Sequence, residues 1–191
     1  MELFTALRER RTIRRYRQQP VGFDQLLELV DMARRASCGA NSQKLRYVTV
    51  ETPEIVRKLF ELTAWGGHVT PRRSPVWGVS APPSFIAVVA PSSSAAAVQA
   101  DAGAALQTME LAAFGLGLGC CWIGALKRAE ARKVLELPEE LEVLYLLAVG
   151  YPDEHPVSED IGIDEPTPYY LDESDRLHVP KIRARDLITR R

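Results

Sequence analysis

The chain has 191 residues, 46% of them hydrophobic, enough for one domain around a sizeable core. A formal net charge of -1 and a sequence pI near 6.3 argue against a general nucleic-acid binder, which carries positive charge across the whole domain. Three cysteines, two of them adjacent (Cys38, Cys120, Cys121), form a poor disulfide framework and suit a reducing cytoplasm.

Met1 leads into ELFTALRERR, which lacks the apolar core of an export signal, and the runs Phe85–Ala90 and Val143–Val149 are too short to span a bilayer. A soluble cytoplasmic protein is expected. Leu3, Phe4 and Leu7 fall at helical spacing, so about residues 2–10 read as a short helix ending at an arginine cluster. Asp24 as a cap, with Leu26, Leu27, Val30 and Ala33 on one apolar face, predicts a helix over about 24–36. Tyr47–Val50 reads as a strand. Thr52-Pro53 opens a third helix that turns Ile55, Val56, Leu59 and Phe60 inward.

Residues 65–83 hold three glycines and four prolines and read as a long surface loop, the candidate lid. Phe85–Ala90 is a buried strand by its continuous apolar run. An alanine-rich helix over about 95–115, with Leu106, Met109 and Leu111, is apolar all round and therefore central. Gly115, Gly117 and Gly119 end it, Cys120–Ile123 is extended, Lys127–Leu135 is helical, and Val143–Val149 is the most strand-like segment. After Gly150 the character changes. Residues 151–180 carry nine acidic side chains, five prolines and a single arginine, Arg176. They read as an extended arm that needs a partner surface, because ordering so long a segment costs chain entropy. No internal repeat and no second domain is visible, so residues 1–191 are expected to form one domain.

The densest signal is RRTIRRYR, with Arg10, Arg11, Arg14, Arg15 and Arg17 inside eight residues. In an extended segment Arg10, Thr12 and Arg14 point the same way, two guanidinium forks and a hydroxyl suited to a terminal phosphate or a polarised carbonyl. On the same alternation Arg11, Arg15 and Arg17 face solvent or a partner. The bland alternative is a solvated charged face. Ser37-Cys38-Gly39-Ala40-Asn41-Ser42-Gln43 offers close backbone approach and paired amide groups, or simply an ordinary turn. Gly115, Gly117 and Gly119 follow a helix instead of a strand and lack GxGxxG spacing, which excludes a Rossmann loop. His68, His155 and His178 have no ligand spacing, and no metal is expected. Cys120 and Cys121 read as small buried hydrophobes.

Four segments together resemble the FMN-dependent nitroreductase family: Arg10-Arg-Thr-Ile-Arg14 with Tyr16 behind it, Ala36 to Gln43, Gly117 to Gly124, and Val179-Pro-Lys-Ile-Arg183. Leu147 to Pro152 is similar to the family's last core strand and its exit turn, and Asp101-Ala-Gly103 resembles short bacterial and archaeal members. The resemblance implies an α+β fold, a mostly antiparallel central sheet flanked by helices, and a homodimer with FMN at the interface. It also implies that the acidic arm embraces the partner subunit. Arg10, Thr12, Lys181 and Arg183 would hold the phosphate and ribityl chain, with Arg11 inside the same motif. Arg14 would lie beside the flavin N1/O2 edge. Cys38, Gly39, Ala40 and Asn41, with Gln43, would come from the other subunit, and the amides near Ile123 and Gly124 would address the N5/O4 edge. Where the family has Pro-Ser, this chain has Ser37-Cys38; Gln107-Thr108 and Lys44-Leu45 are further departures from the family's pattern.

The implied activity is an oxidoreductase that accepts a hydride from NAD(P)H and passes electrons to a nitroaromatic, quinone or similar acceptor by a ping-pong cycle. No side-chain acid or base is demanded, because the flavin carries the chemistry. Trp65, His68, Arg72, Arg73 and Trp77 are the candidates for acceptor contacts. Two alternatives stand: a flavin-binding protein of the same fold that uses no NAD(P)H, and an anion- or nucleic-acid-binding module built on the arginines.

Overall fold

A computed structural model describes residues 2–66 and 74–191. Four antiparallel strands form the central sheet in the order β1-β2-β4-β3, with β1 Arg46–Val50, β2 Ser84–Pro91, β3 Gly119–Ile123 and β4 Leu141–Gly150. On one face lie α2 (Phe23–Ala33) and the long α4 (Gln99–Gly115); on the other lie α3 (Pro53–Glu61) and α5 (Arg128–Val134). Cover on both faces explains why β2 and β4 are apolar without alternation. Ile86, Val88, Leu144, Leu147 and Val149 pack toward α2 and α4, while Phe85, Ala87, Val89, Val143, Leu146 and Ala148 pack toward α3 and α5. The register slips between Val88 and Val89, which pair with Tyr145 and Val143. The extra residue, Leu144, lets two successive β4 side chains face the same layer, as a bulge does.

The adjacent cysteines follow the strand period. Cys120 enters one core layer and Cys121 the other, both as free thiols. In α2 the inward stripe is Leu26, Leu29 and Ala33, whereas Leu27 is half exposed, a correction to the expected face. Its N-cap is Gly22 in place of Asp24; the Gln25 side chain accepts the Gly22 N–H at 3.3 Å, and Asp24 sits in the first turn, where its charge complements the helix dipole. Trp65 also departs from expectation. It is buried in the core beside Phe60, and its indole N–H donates to Thr63 at 2.7 Å; Trp77 packs on the same Phe60 ring at 5.8 Å. The start and end of the 65–83 segment are therefore anchored in the core instead of hanging free as a lid. His68, Arg72 and Arg73 lie outside the described residues.

The segment after β4 is not simply an extended arm. It forms a second sheet in the order β5-β7-β6, from β5 (Val157–Ile161), β6 (Tyr170–Leu171) and β7 (Leu177–Ile182), with a short α6 (Ala184–Leu187) behind. No long apolar period is needed for this, because strand pairing satisfies the backbone and the buried strand residues are few: Ile161, Leu177, Val179 and Pro180. At its centre both ring nitrogens of His178 face carboxylates, Asp172 at 3.1 Å and Glu159 at 3.4 Å. The Tyr170 ring stacks on the imidazole at 4.7 Å and donates its hydroxyl to Glu159 at 2.9 Å.

α1 (Leu3–Glu9) hands the chain to residues 10–17, which lie across the start of β3 and the end of β4. There Gly119 pairs with Gly150. A Cβ at Gly119 would stand 2.6 Å from Ile13 Cγ1, and one at Gly150 would stand 2.8 Å from Tyr16 Cδ1. Ile13 and Tyr16 thus fill the space two missing side chains leave, and the fully buried Tyr16 donates its hydroxyl to the Ile13 carbonyl at 2.6 Å.

Two outcomes follow from this packing. Gly119→Ala forces a methyl against Ile13 and should lower stability by about 1–3 kcal/mol in urea unfolding; a variant as stable as wild type would show that Ile13 is not seated there. For His178, the Asp172 bond raises the pKa above 6.5, while Asp172 is held low by the Arg176 N–H and then by His178. The imidazolium's contribution is therefore complete below its unfolded pKa and is lost as pH rises through the folded one. Amide exchange in β6 and β7 should quicken as pH climbs past the ordinary histidine range, beyond the intrinsic base-catalysed increase, and His178→Gln should abolish that extra step.

Candidate functional site

Residues 10–17 are held in place by their apolar members, Ile13 and Tyr16, which point in. Ile13 N–H donates to the Cys120 carbonyl at 2.8 Å and Arg17 N–H to the Tyr151 carbonyl at 2.9 Å. The buried Glu154 carboxylate accepts the backbone N–H of Arg14, and that of Arg15 at 3.1 Å. Five arginines are thereby held on a fixed backbone.

Their side chains divide. Arg10 leaves the end of α1, and its Nη1 lies 3.4 Å from the buried Glu110 on α4. Arg11 turns inward, donating to the carbonyls of Arg10 and Arg8 and to the Ser158 hydroxyl on β5; its Nε is buried without a partner among the described residues. Burial, then the neighbouring Arg10, lower the Arg11 pKa. The cation of Arg14 rests over the Tyr169 ring, 5.4 Å from its centre, and Arg15 meets Asp175 at 3.8 Å.

A cavity of about 440 Å³ opens between α1, the C-terminal half of α4, the start of β3 and residues 152–158. Ile13, Phe114 and Leu118 supply apolar wall, while three arginines (Arg8, Arg10, Arg11) are matched by three glutamates (Glu9, Glu110, Glu154). Thr12 and Arg14 are not part of this wall, so consecutive Arg10 and Arg11, and not the alternate Arg10, Thr12 and Arg14, face the cavity. Lys181 and Arg183 also lie outside it. Lys181 is exposed on β7, and Arg183 is engaged with Asp186 at 3.1 Å. The C-terminal segment does fold onto the arginine cluster, through Glu154, Ser158, Tyr169 and Asp175.

The turn from Cys38 to Gln43 lies elsewhere. Cys38 and Gln43 line a second cavity of about 220 Å³ with Lys44, Tyr47 and Asp101. Gly39 N–H donates to Asp101 at 3.0 Å, and Ala40, Asn41 and Gln43 all hold positive φ near 50°. Three non-glycine residues in the left-handed region mark a strained turn. Ile123 is buried at the end of β3, while Gly124 is exposed, and a Cβ there would touch Tyr145 at 3.5 Å.

Burial pushes the Cys120 thiol up strongly and the Cys121 thiol up to about 12, so neither is a thiolate near neutrality. The site offers cationic donors and an apolar wall instead of a nucleophile. Guanidinium forks, an orphaned Arg11 Nε and a cavity of this size fit an anionic, partly aromatic ligand such as a flavin mononucleotide. Glu110, Glu154 and Tyr169 are not singled out by motif. Only Glu110 left a trace, a lone charge on the stripe of Leu106, Met109 and Ala113.

Comparison with known proteins agrees with this architecture. The model of the Nitroreductase family matches residues 7–151. An FMN reductase [NAD(P)H] of Bacillus subtilis is 30% identical over 166 residues, 79% of this chain and 66% of that protein. An FMN-dependent nitroreductase from Clostridium difficile has the same fold, with a TM-score of 0.67 at 23% identity, covering 90% of this chain and 93% of that one. A hypothetical oxidoreductase from Bacillus subtilis superposes with a TM-score of 0.66 at 26% identity, covering 91% and 77%. With the arginine segment, the small-residue turn and the central sheet all inside the matched range, the chain belongs to the nitroreductase family.

Proposed function

We propose that this protein is an FMN-dependent oxidoreductase that uses NAD(P)H and an electron-poor organic acceptor, a nitroaromatic, a quinone or a similar compound. The observation that carries this reading is the pinned arginine segment, whose Arg10 and Arg11 line a ligand-sized cavity in a chain of this family. Bound FMN supplies the redox chemistry, taking a hydride from NAD(P)H and returning electrons to the acceptor. The two substrates use the same site in turn, a ping-pong order.

The residues divide the binding work. Arg10 and Arg11, which line the cavity, receive the terminal phosphate, and Thr12, Lys181 and Arg183, outside its wall, are the further candidates for the ribityl chain and phosphate. Arg14 serves the ring, where a fixed positive charge favours the electron-rich form. The amides around Ile123 and Gly124 address the ring edge. The buried Cys120 thiol and the Ile13–Phe114–Leu118 wall keep water from the cavity floor.

The working unit is a homodimer in which Cys38, Gly39, Ala40, Asn41 and Gln43 line the partner's cofactor. Exposed apolar side chains on α1 (Leu3, Phe4, Leu7) and α2 (Phe23, Leu27) support it, since large apolar groups left in water suit an interface. Residues 1–191 act as one domain in this reading, in the cytoplasm. Among the described residues no helix is long and apolar enough to cross a membrane.

The visible spectrum of the purified protein tests the reading. A flavin absorbance that bleaches anaerobically with NADH or NADPH is expected. Colourless protein that gains no flavin band on adding FMN overturns the cofactor, and a band that neither nicotinamide bleaches overturns the co-substrate. Arg10→Ala should raise the FMN dissociation constant about 10- to 100-fold, the loss of one charge-assisted contact, and change riboflavin binding little.

A further inference from the structure

Glu110 is a carboxylate where the fold asks for a hydrocarbon. It lies on the buried stripe of α4 and is 5% exposed, with the Arg10 guanidinium facing it at 3.4 Å. A buried charge is costly unless another group compensates it. Burial raises its pKa, with Arg10 and then Arg14 pulling the other way. Arg10 in turn is largely withdrawn from water, its side chain 22% exposed.

The geometry of this pair decides its meaning. The contact is made by Nη1, one of the two nitrogens at the tip of the fork, which is the end a phosphate needs. At 3.4 Å it is longer than a well-formed charge-assisted bond, so it neutralises Arg10 without fixing the guanidinium's orientation. Around it the cavity wall balances three arginines against three glutamates, leaving no surplus charge for a dianion. A phosphate entering here finds its principal cation already engaged.

We propose that Glu110 is an internal counter-anion that occupies Arg10 until a phosphate replaces it, and so sets how tightly the site takes phosphorylated flavin. This rests on the flavin reading above. Exchange of one anion for another keeps Arg10 compensated in both states, and the affinity reflects the difference between the two partners. Removing the carboxylate leaves a half-buried guanidinium without its counter-charge and with a stronger demand for the ligand's phosphate.

The test compares FMN with riboflavin, which differ only in the phosphate. Flavin-free wild type and Glu110→Gln are titrated with each at fixed ionic strength, following flavin fluorescence. The expected result is FMN binding tightened on the order of tenfold in Glu110→Gln, with riboflavin unchanged. The FMN-induced rise in melting temperature should also be larger in the variant, and Arg10→Ala should erase the gain in the double variant. Glu110→Met, of similar volume, gives the same ordering should Glu110→Gln not fold. FMN affinity unchanged or weaker in the variant overturns the proposal alone, because Glu110 then has only a packing or orienting role. Equal tightening for riboflavin also overturns it. Wild type and variant that take up neither flavin overturn the flavin reading and this proposal together.

Discussion

The site depends on a notch with no side chains. β3 and β4 pair with Gly119 opposite Gly150, and neighbouring strands project paired positions to the same face. Ile13 and Tyr16 enter that space, and neither could do so past a Cβ. Burying these two side chains contributes roughly 1.5–3 kcal/mol each, enough to hold five mutually repelling arginines on one short segment. The hydroxyl of Tyr16 then closes onto the Ile13 carbonyl, so the backbone between them cannot swing away. Because the apolar pair sits three residues apart, Arg14 and Arg15 between them are left off the core side, where they meet Tyr169 and Asp175.

Held in this way, the positive segment organises acidic residues from distant parts of the chain. Glu154 comes from the exit of β4 and caps two backbone N–H groups; Glu110 comes from α4; Asp175 comes from the turn between β6 and β7. Each uses a different feature: main-chain donors for Glu154, the half-buried Arg10 guanidinium for Glu110, and the more exposed Arg15 for Asp175. The near-neutral net charge of the whole chain therefore conceals a dense local cluster balanced by matched counter-charges. The second sheet belongs to this balance. Its β5 brings Ser158 to Arg11, and the segment leading to β6 brings Tyr169 over Arg14.

What the sequence reveals depends on the range of the physics involved. β2 and β4 are legible because burial on both faces leaves unbroken apolar runs, and α3 because Thr52-Pro53 marks its start. The concentration of positive charge at residues 10–17 is legible directly. The second sheet is not, because β5 pairs in parallel with a strand whose register no local pattern announces. Trp65 reads as a loop aromatic until the fold brings Phe60 beside it. The inward turn of Arg11 is equally hidden. Alternation sends it outward, and only the Ser158 hydroxyl and two carbonyls at the end of α1 reverse that.

The two cavities set a geometric condition on any shared site. Along α4 the larger one touches Glu110 and the smaller one touches Asp101, nine residues apart and so separated by about 14 Å of helix rise. The strained Cys38–Gln43 turn is tied to the Asp101 end by the Gly39 N–H, and the arginines to the Glu110 end. Within one chain both are fixed to the same rigid rod, so neither can travel to the other. In the proposed homodimer the two sets of residues that meet one ligand come from two copies. A two-fold arrangement does this symmetrically, giving each arginine segment the other copy's turn. The exposed apolar side chains of α1 and α2 are surfaces that the proposed dimer would bury, its strained Cys38–Gln43 turn then facing the other copy's ligand.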